Sequence, residues 1–350
     1  MRSRDSSLLR AFRGAALATL ASFVLAGCGG GSGGGSSPPE NSVTTGSVIL
    51  KPPMLSFTDT GVSVSDGITR KGLWSVDSTD SVGWEFSLDF GKTWTRGDGN
   101  SFEVMGDGKK TIWVRARDDF GNTSEIVVAN CTLDTMSPTS LAAVSAPRQS
   151  ASQLTLQGLE PGALWELSLD AGRTWFRGSG DALSVTGNDT ATVQIRQVDV
   201  AGNPSASIGI DVRSQAAGWV ELSSNAMQPN QMGNLNHAVL IHGEVVAGDA
   251  DYVTFEVPAG FRLGSATFIS YESTDRIAFY AMQRKAVFDA GFDTTRMLAF
   301  GHFGPEDLSR NLLATLPASQ LGGGPLTVWV QQTGSTKTRY ALLITIERAM

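Results

Sequence analysis

Cysteine is almost absent from this chain: two residues in 350, Cys28 and Cys131. Histidine, at three, and tyrosine, at four, are nearly as scarce, and only 17% of residues are charged. Each shortage excludes something. Two cysteines cannot build a disulfide framework or a thiolate metal cluster. His237 and His242 are five apart, which is not a zinc-ligand spacing on a helix, and His302 stands alone among aromatics and glycines. No Gly-x-Ser-x-Gly elbow, phosphate-cradling Gly loop or Cys/His pair occurs. Helical periodicity of useful length is missing before residue 280. With 27 basic against 34 acidic side chains and no basic stripe, there is little to neutralise phosphates, so nucleic acid is excluded as a partner. The expectation is a non-enzyme with no catalytic residues and no required cofactor.

What is present is glycine, 40 residues of it, in a chain long enough for two or three compact domains. From about residue 50, short runs of β-branched and aromatic residues alternate with polar ones between Gly, Asp and Asn, the pattern of strands and tight turns. Upstream, an Arg-bearing start leads into an Ala-rich apolar stretch, Ala15 to Leu25, the form of a signal peptide over residues 1–27 and too short to span a bilayer stably. It ends in Leu25-Ala26-Gly27-Cys28, which resembles a bacterial lipobox. That resemblance implies cleavage before Cys28, acylation of its thiol and amine, and a membrane as partner through the lipid, since several acyl chains anchor stably where one is marginal. Gly29 stands where an inner-membrane retention signal would have Asp, so the resemblance implies a cell-envelope protein on the outer membrane. Loss of residues 1–27 removes four arginines and one aspartate and takes the net charge from −7 to −10. Residues 28–49, rich in Gly, Ser and Pro, read as a flexible tether.

An internal repeat organises the first half. Trp84-Glu85-Phe86-Ser87-Leu88-Asp89-Phe90-Gly91-Lys92-Thr93-Trp94 recurs 81 residues later as Trp165-Glu166-Leu167-Ser168-Leu169-Asp170-Ala171-Gly172-Arg173-Thr174-Trp175. The same displacement carries Val114-Arg115, Asp118 and Gly121-Asn122 onto Ile195-Arg196, Asp199 and Gly202-Asn203. Two copies, 50–135 and 136–215, are expected as β-sandwiches of about seven strands each. Ser87 to Trp94 and Ser168 to Trp175 also match the Asp-box of sialidase-like propellers. Blades would recur every 40 to 50 residues, at least four times, so the box is read as a hairpin device. Asp89 and Asp170 would cap the turn amides, Gly91 and Gly172 would adopt the left-handed conformation, and Trp84, Trp94, Trp165 and Trp175 would pack as core aromatics. Cys131, ending an apolar strand pattern from Ile126 to Leu133, reads as a buried small hydrophobe.

The repeat resembles the bacterial Ig-like modules of large surface adhesins. The likeness is carried by Asp59-Thr60-Gly61, Ser65-Asp66-Gly67-Ile68-Thr69, the Trp84 block, Val114 to Asn122, the joint Leu133 to Thr139, and Ile195 to Asn203. It implies calcium between successive modules, held by Asp59, Asp66, Asp118, Asp119 and Asp134 from loops at the sandwich ends, against the alternative that each caps a turn. The second copy has Ala146-Pro147-Arg148-Gln149-Ser150 in place of the Asp-Gly turn, so at most one full site is expected.

Residues 217–350 read as a third β module. Asp249 to Gly260 is an alternating strand ending in a Pro-Gly turn; Leu326 to Gly334 and Tyr340 to Ile346 suggest a terminal hairpin, and Phe300 to Pro305 a long ordered loop. The arrangement resembles the pre-peptidase C-terminal β-sandwich, which is jelly-roll-like. Together the modules imply an all-β lipoprotein for adhesion or extracellular-matrix contact. Two rivals remain: a carbohydrate- or polymer-binding accessory protein with the third module as receptor for a glycan or surface protein, and a degenerate exported hydrolase with its site around His302. Cys28→Ala is expected to leave uncleaved precursor and no membrane-bound mature form, with loss of labelling by a palmitate analogue; an unlabelled wild-type chain would contradict lipidation.

Overall fold

The structure is a computed structural model that describes residues 49–78, 83–148, 151–187, 192–212, 221–275 and 277–349. The chain divides into two units, Met1–Ser47 and Val48–Met350. The leader, Cys28 and nearly all of the tether lie outside the described residues, and the second unit is the subject below.

The second unit is all-β, built of β-sandwiches. The first module carries β1 (Met54–Phe57), β2 (Ile68–Thr69), β3 (Leu73–Asp77), β4 (Gly83–Ser87), β5 (Thr95–Arg96), β6 (Ser101–Glu103), β7 (Gly108–Arg117) and β8 (Val127–Leu133). They form a three-stranded sheet, β1-β3-β6, and a five-stranded one, β2-β8-β7-β4-β5. The alternation expected of half-buried strands is plain in β3, where Trp74 and Val76 face in between exposed neighbours. The two sheets close over Trp74, Trp84, Phe102, Ile112, Val114 and Cys131. Cys131 is thus a buried core residue, and burial raises its thiol pKa above the ordinary value.

The second module is stitched to the first by hydrogen bonds. Thr60 Oγ1 donates to the Ala201 carbonyl (2.8 Å), Val62 N to Val200 O (3.3 Å), and Asn203 Nδ2 to Asp134 O (2.8 Å). Gly61 has φ +121°, and a side chain there would sit 2.1 Å from Val200 O. Only glycine permits that approach.

The second and third modules are not independent. The second supplies β9 (Ala142–Arg148), β10 (Ala151–Gln157), β11 (Leu164–Ser168), β12 (Phe176–Arg177), β13 (Ala182–Gly187), β14 (Thr192–Val198) and β15 (Ile208–Asp211). The C-terminal region supplies β16 (Asn230–Asn234), β17 (Ala238–Val245), β18 (Ala250–Val257), β19 (Phe261–Glu272), β20 (Ala278–Gln283), β21 (Ala299–Phe303), β22 (Gly324–Gln332) and β23 (Thr338–Arg348). β13 pairs in parallel with β17, from Leu183 opposite Ala238 to Gly187 opposite His242, and so joins both regions in one sheet of order β19-β23-β17-β13-β10-β9. The expected boundary near residue 216 is crossed by a continuous sheet.

That sheet is the middle of three layers. On one side Leu154, Leu183, Val185, Ala238, Leu240, Ala341 and Leu343 pack with Trp165, Leu167, Val193 and Ile195 of the sheet β12-β11-β14-β15. On the other, Val239, Ile241, Phe268, Leu342 and Ile344 pack with Val253, Phe255, Tyr280, Leu326 and Val328 of the sheet β16-β18-β22-β20-β21. Burial on both faces explains why β17 and β23 read as near-continuous apolar runs and not as alternation.

Two local expectations are corrected. Leu326–Gly334 and Tyr340–Ile346 are not a hairpin: β22 lies in the outer five-stranded sheet and β23 in the middle one. The connection turns from layer to layer, fixed by Asp275, which accepts from the backbone amide and hydroxyl of Thr336 (2.9 and 2.7 Å). Phe300 to Phe303 is not loop but strand β21, paired with β20.

Leu240 is fully buried in the middle sheet. Leu240→Ala is expected to cost about 2–5 kcal/mol and to lower the melting of residues 136–349 as one transition in scanning calorimetry. Two separate transitions for 136–215 and 217–349 would contradict a shared sheet.

Candidate functional site

The repeated Trp blocks are hairpins of identical construction. Ser87 Oγ donates to Asp89 Oδ1 (2.7 Å) and accepts from Gly91 N (2.8 Å), while Asp89 accepts from the amide and hydroxyl of Thr93 (2.9 and 2.7 Å). Ser168, Asp170, Gly172 and Thr174 repeat these bonds. Bonds from the threonine hydroxyl and amide hold Asp89 and Asp170 down at about 2, so both stay ionised. Phe90 and Ala171, each at φ 60°, precede Gly91 at 81° and Gly172 at 83°, so both central residues of each turn are left-handed.

The four tryptophans divide into two kinds. Trp84 and Trp165 are core residues, 3% and 2% exposed. Their indole N–H groups donate to Gly99 O (2.9 Å) and Gly180 O (2.7 Å). Gly97 and Gly178 lie flat on these rings, where a Cβ would come within 2.2 Å of ring carbon. Trp94 and Trp175, expected in the core, are half-buried instead. Each lies under a guanidinium, Arg115 at 3.9 Å and Arg196 at 4.0 Å from the ring centroid. Those arginines pair in turn with Glu85 (2.5 Å) and Glu166 (2.7 Å). Burial alone would raise the Glu85 carboxyl pKa, but hydrogen bonds from Arg117 and Arg115 bring it below the ordinary value.

The five aspartates expected to share calcium are not gathered. Asp59 accepts from Gly67 N (2.8 Å), Asp66 from Ile68 N (2.9 Å) and Asp134 from Met136 N (3.1 Å). Asp118 accepts from Phe120 N, Asn122 N and Asn122 Nδ2, and the Asn122 bond leads in lowering its pKa. Asp119 is exposed, 3.5 Å from Arg96. Among the described residues, none of the five belongs to a set of three His, Cys, Asp or Glu groups close enough to share an ion. Asp59, Asp66, Asp118 and Asp134 each accept from a loop amide, as the turn-capping alternative describes.

A Ser–His hydrogen bond does form, between Ser184 Oγ and His237 Nε2 (2.8 Å), with Nδ1 facing Asn236 Oδ1 (3.0 Å). Both residues are buried, and the third group is an amide, so the arrangement joins β13 to the segment entering β17. His302 is exposed on β21 with Phe279 as its ring neighbour at 5.7 Å. It belongs to no metal-binding set among the described residues.

The clearest candidate site lies on the seam between the second and third modules. A groove of about 440 Å³ is lined from one side by Trp165, Arg177 and Ser179, and from the other by Asn236, Phe261 and Arg348. Ser179 fixes the seam: its hydroxyl accepts from Ile346 N (2.9 Å) and its carbonyl from Ala238 N (3.0 Å). A bulge in β19 between Leu263 and Ser265 shapes the wall, with Ser265 and Thr345 hydroxyls bonded at 2.8 Å. The Arg348 guanidinium stands 5.8 Å from the Phe261 ring, and Glu347 pairs with Arg262 at 2.8 Å. The groove therefore offers cationic donors, hydroxyls, an amide, a carboxylate and the Trp165 and Phe261 rings within a size suited to a small ligand or a segment of a chain. The sequence could not reveal it, since its walls come from residues up to 189 positions apart, Leu159 to Arg348.

A second exposed feature is the outer face of the sheet β16-β18-β22-β20-β21. Tyr252, Phe279, Phe288 and Trp329 cluster there, with Phe292 (81% exposed) and Phe300 (48%) standing in solvent.

No protein-family model and no curated protein matches the chain. Among solved structures it is similar to the fibronectin(III)-like modules of Clostridium thermocellum CbhA, at 12% identity over 45% of this chain and 92% of that one, TM-score 0.31. It is similar to a carbohydrate-binding module of the β-sandwich superfamily, at 6% identity over 86% and 99%, TM-score 0.26. A third is SGBP-B of the Bacteroides ovatus mixed-linkage glucan utilization locus in complex with a mixed-linkage heptasaccharide, at 10% identity over 83% and 99%, TM-score 0.18.

Trp84→Ala is expected to cost about 3–5 kcal/mol, as for a core aromatic. Trp94→Ala should cost only about 1–2 kcal/mol, from a half-buried ring and its cation–π contact. Denaturant unfolding of the two variants separates them, and equal losses would contradict the division of roles.

Proposed function

We propose that the chain is a lipid-anchored envelope protein whose seam groove binds a hydroxyl-rich polymer, a glycan of the surroundings, as an adhesive or matrix contact. Lipidation of Cys28 and outer-membrane placement rest on the lipobox resemblance. The observation that carries the binding role is the groove itself: Arg177, Ser179, Asn236, Phe261 and Arg348 converge on one cleft from two regions of chain. Hydroxyl groups are bonded well by such mixed donors and acceptors, and an aromatic ring with a polar rim favours an amphipathic ligand. The hydrogen-bonded joint between the first two modules and the sheet shared by the next two suit a stiff spacer that holds the groove away from the membrane. The hydrolase reading has no such support: among the described residues His302 belongs to no close group of three metal-ligating side chains.

Arg177→Ala and Arg348→Ala are on exposed positions and should leave melting unchanged while weakening binding to a glycan array at least tenfold. Phe292→Ala with Phe300→Ala serves as the counter-test. Loss of binding in that pair alone would move the receptor to the outer aromatic face, and no glycan binding by the wild type would overturn the proposal.

A further inference from the structure

Three carboxylates meet at the edge of the C-terminal sandwich, outside everything described above. Glu221 lies near the start of the third region, Asp249 in the turn before β18, and Asp251 within β18; one oxygen of each lies within 4.8 Å of the others. The segment after Glu221 is held against β18, with Tyr252 N donating to Ser223 O at 2.8 Å. Asp249 N closes its turn on Val246 O (3.0 Å), and Asp249 Oδ1 accepts from Ala250 N (2.8 Å). Clustered acids alone mean little, because exposed ones are solvated. Asp251 differs. It is 1% exposed, and while its Oδ2 accepts from the Tyr340 hydroxyl at 2.8 Å, its Oδ1 is buried without a hydrogen-bond partner. A buried carboxylate oxygen left unpartnered costs free energy unless something positive reaches it.

We propose that Glu221, Asp249 and Asp251 bind a divalent cation of the calcium type, with Asp251 Oδ1 as its innermost ligand. The donors are all oxygen, which selects a hard cation over zinc or copper. One ligand is buried and fixed, one is half-buried and one is exposed, leaving room for water to complete the shell. The cation would clamp the entering segment at Glu221 to β18 and, through the Tyr340 hydroxyl, to β23 of the middle sheet. The site is distinct from the five turn-capping aspartates of the first module.

Burial pushes the Asp251 carboxyl up to about 8; the Tyr340 hydrogen bond opposes this, and the charges of Asp249 and Glu221 add to it. A cation at the cluster would supply the opposing charge.

The test is titration of the purified full chain with calcium chloride, by calorimetry and by melting, at pH 8 against a chelator. Calcium is expected to bind with one dominant site and to raise the melting temperature. Glu221→Gln, at an exposed position, should fold normally and weaken calcium binding at least tenfold. Asp251→Asn should abolish the response and melt in chelator no lower than the wild type, since it removes a buried charge. Asp118→Asn, in the first module, should leave calcium binding intact. Absence of calcium binding by the wild type would overturn the proposal, as would binding undiminished in both Glu221→Gln and Asp251→Asn.

Discussion

Everything in the second half of this protein depends on one strand pairing, β13 alongside β17. Because these strands run parallel in register from Leu183 and Ala238 to Gly187 and His242, the second module's sheet continues into the C-terminal region. Once joined, that sheet acquires apolar partners on both faces, Trp165 and Ile195 on one side and Phe255 and Val328 on the other. A layer buried on both sides must fit side chains into two cores at once, so close packing on both faces fixes its register. The seam groove, with Ser179 bonded to both Ile346 and Ala238, is a direct product of the same pairing.

The first half of the fold was largely legible in the sequence because its information is local. The Ser-x-Asp-x-Gly-x-Thr-Trp turn contains its own hydrogen-bond donors, acceptors and left-handed positions within eight residues, and the repeat displays it twice. The burial of Cys131 was legible for the same reason. The role of Trp94 and Trp175 was less so, since what matters to them is Arg115 and Arg196, residues whose alignment over the rings is a property of the neighbouring strand.

The second half was hidden because its information is relational. Leu326–Gly334 and Tyr340–Ile346 look like the arms of a hairpin by proximity and polarity. The difference lies in which layer each faces, and apolar residues do not announce their partners. The apolar run Ala238 to Ile241 in β17 was the available sign of a doubly buried strand. The candidate sites were hidden for a like reason: the groove and the cluster of Glu221, Asp249 and Asp251 are assembled from distant segments, whereas Asp118 in the first module sits in a turn sequence whose own amides bond it.

The function proposed thus rests on an architecture in which spacer and receptor are one body. Amide hydrogen exchange of β13 and β17 in the intact chain tests that architecture most directly. The expected result is slow exchange in both strands, with protection matching that of β23 in the same sheet. Rapid exchange along Ala182–Gly187 and Ala238–Val245, while β11 and β22 remain protected, would show two modules that merely touch, and would contradict the account.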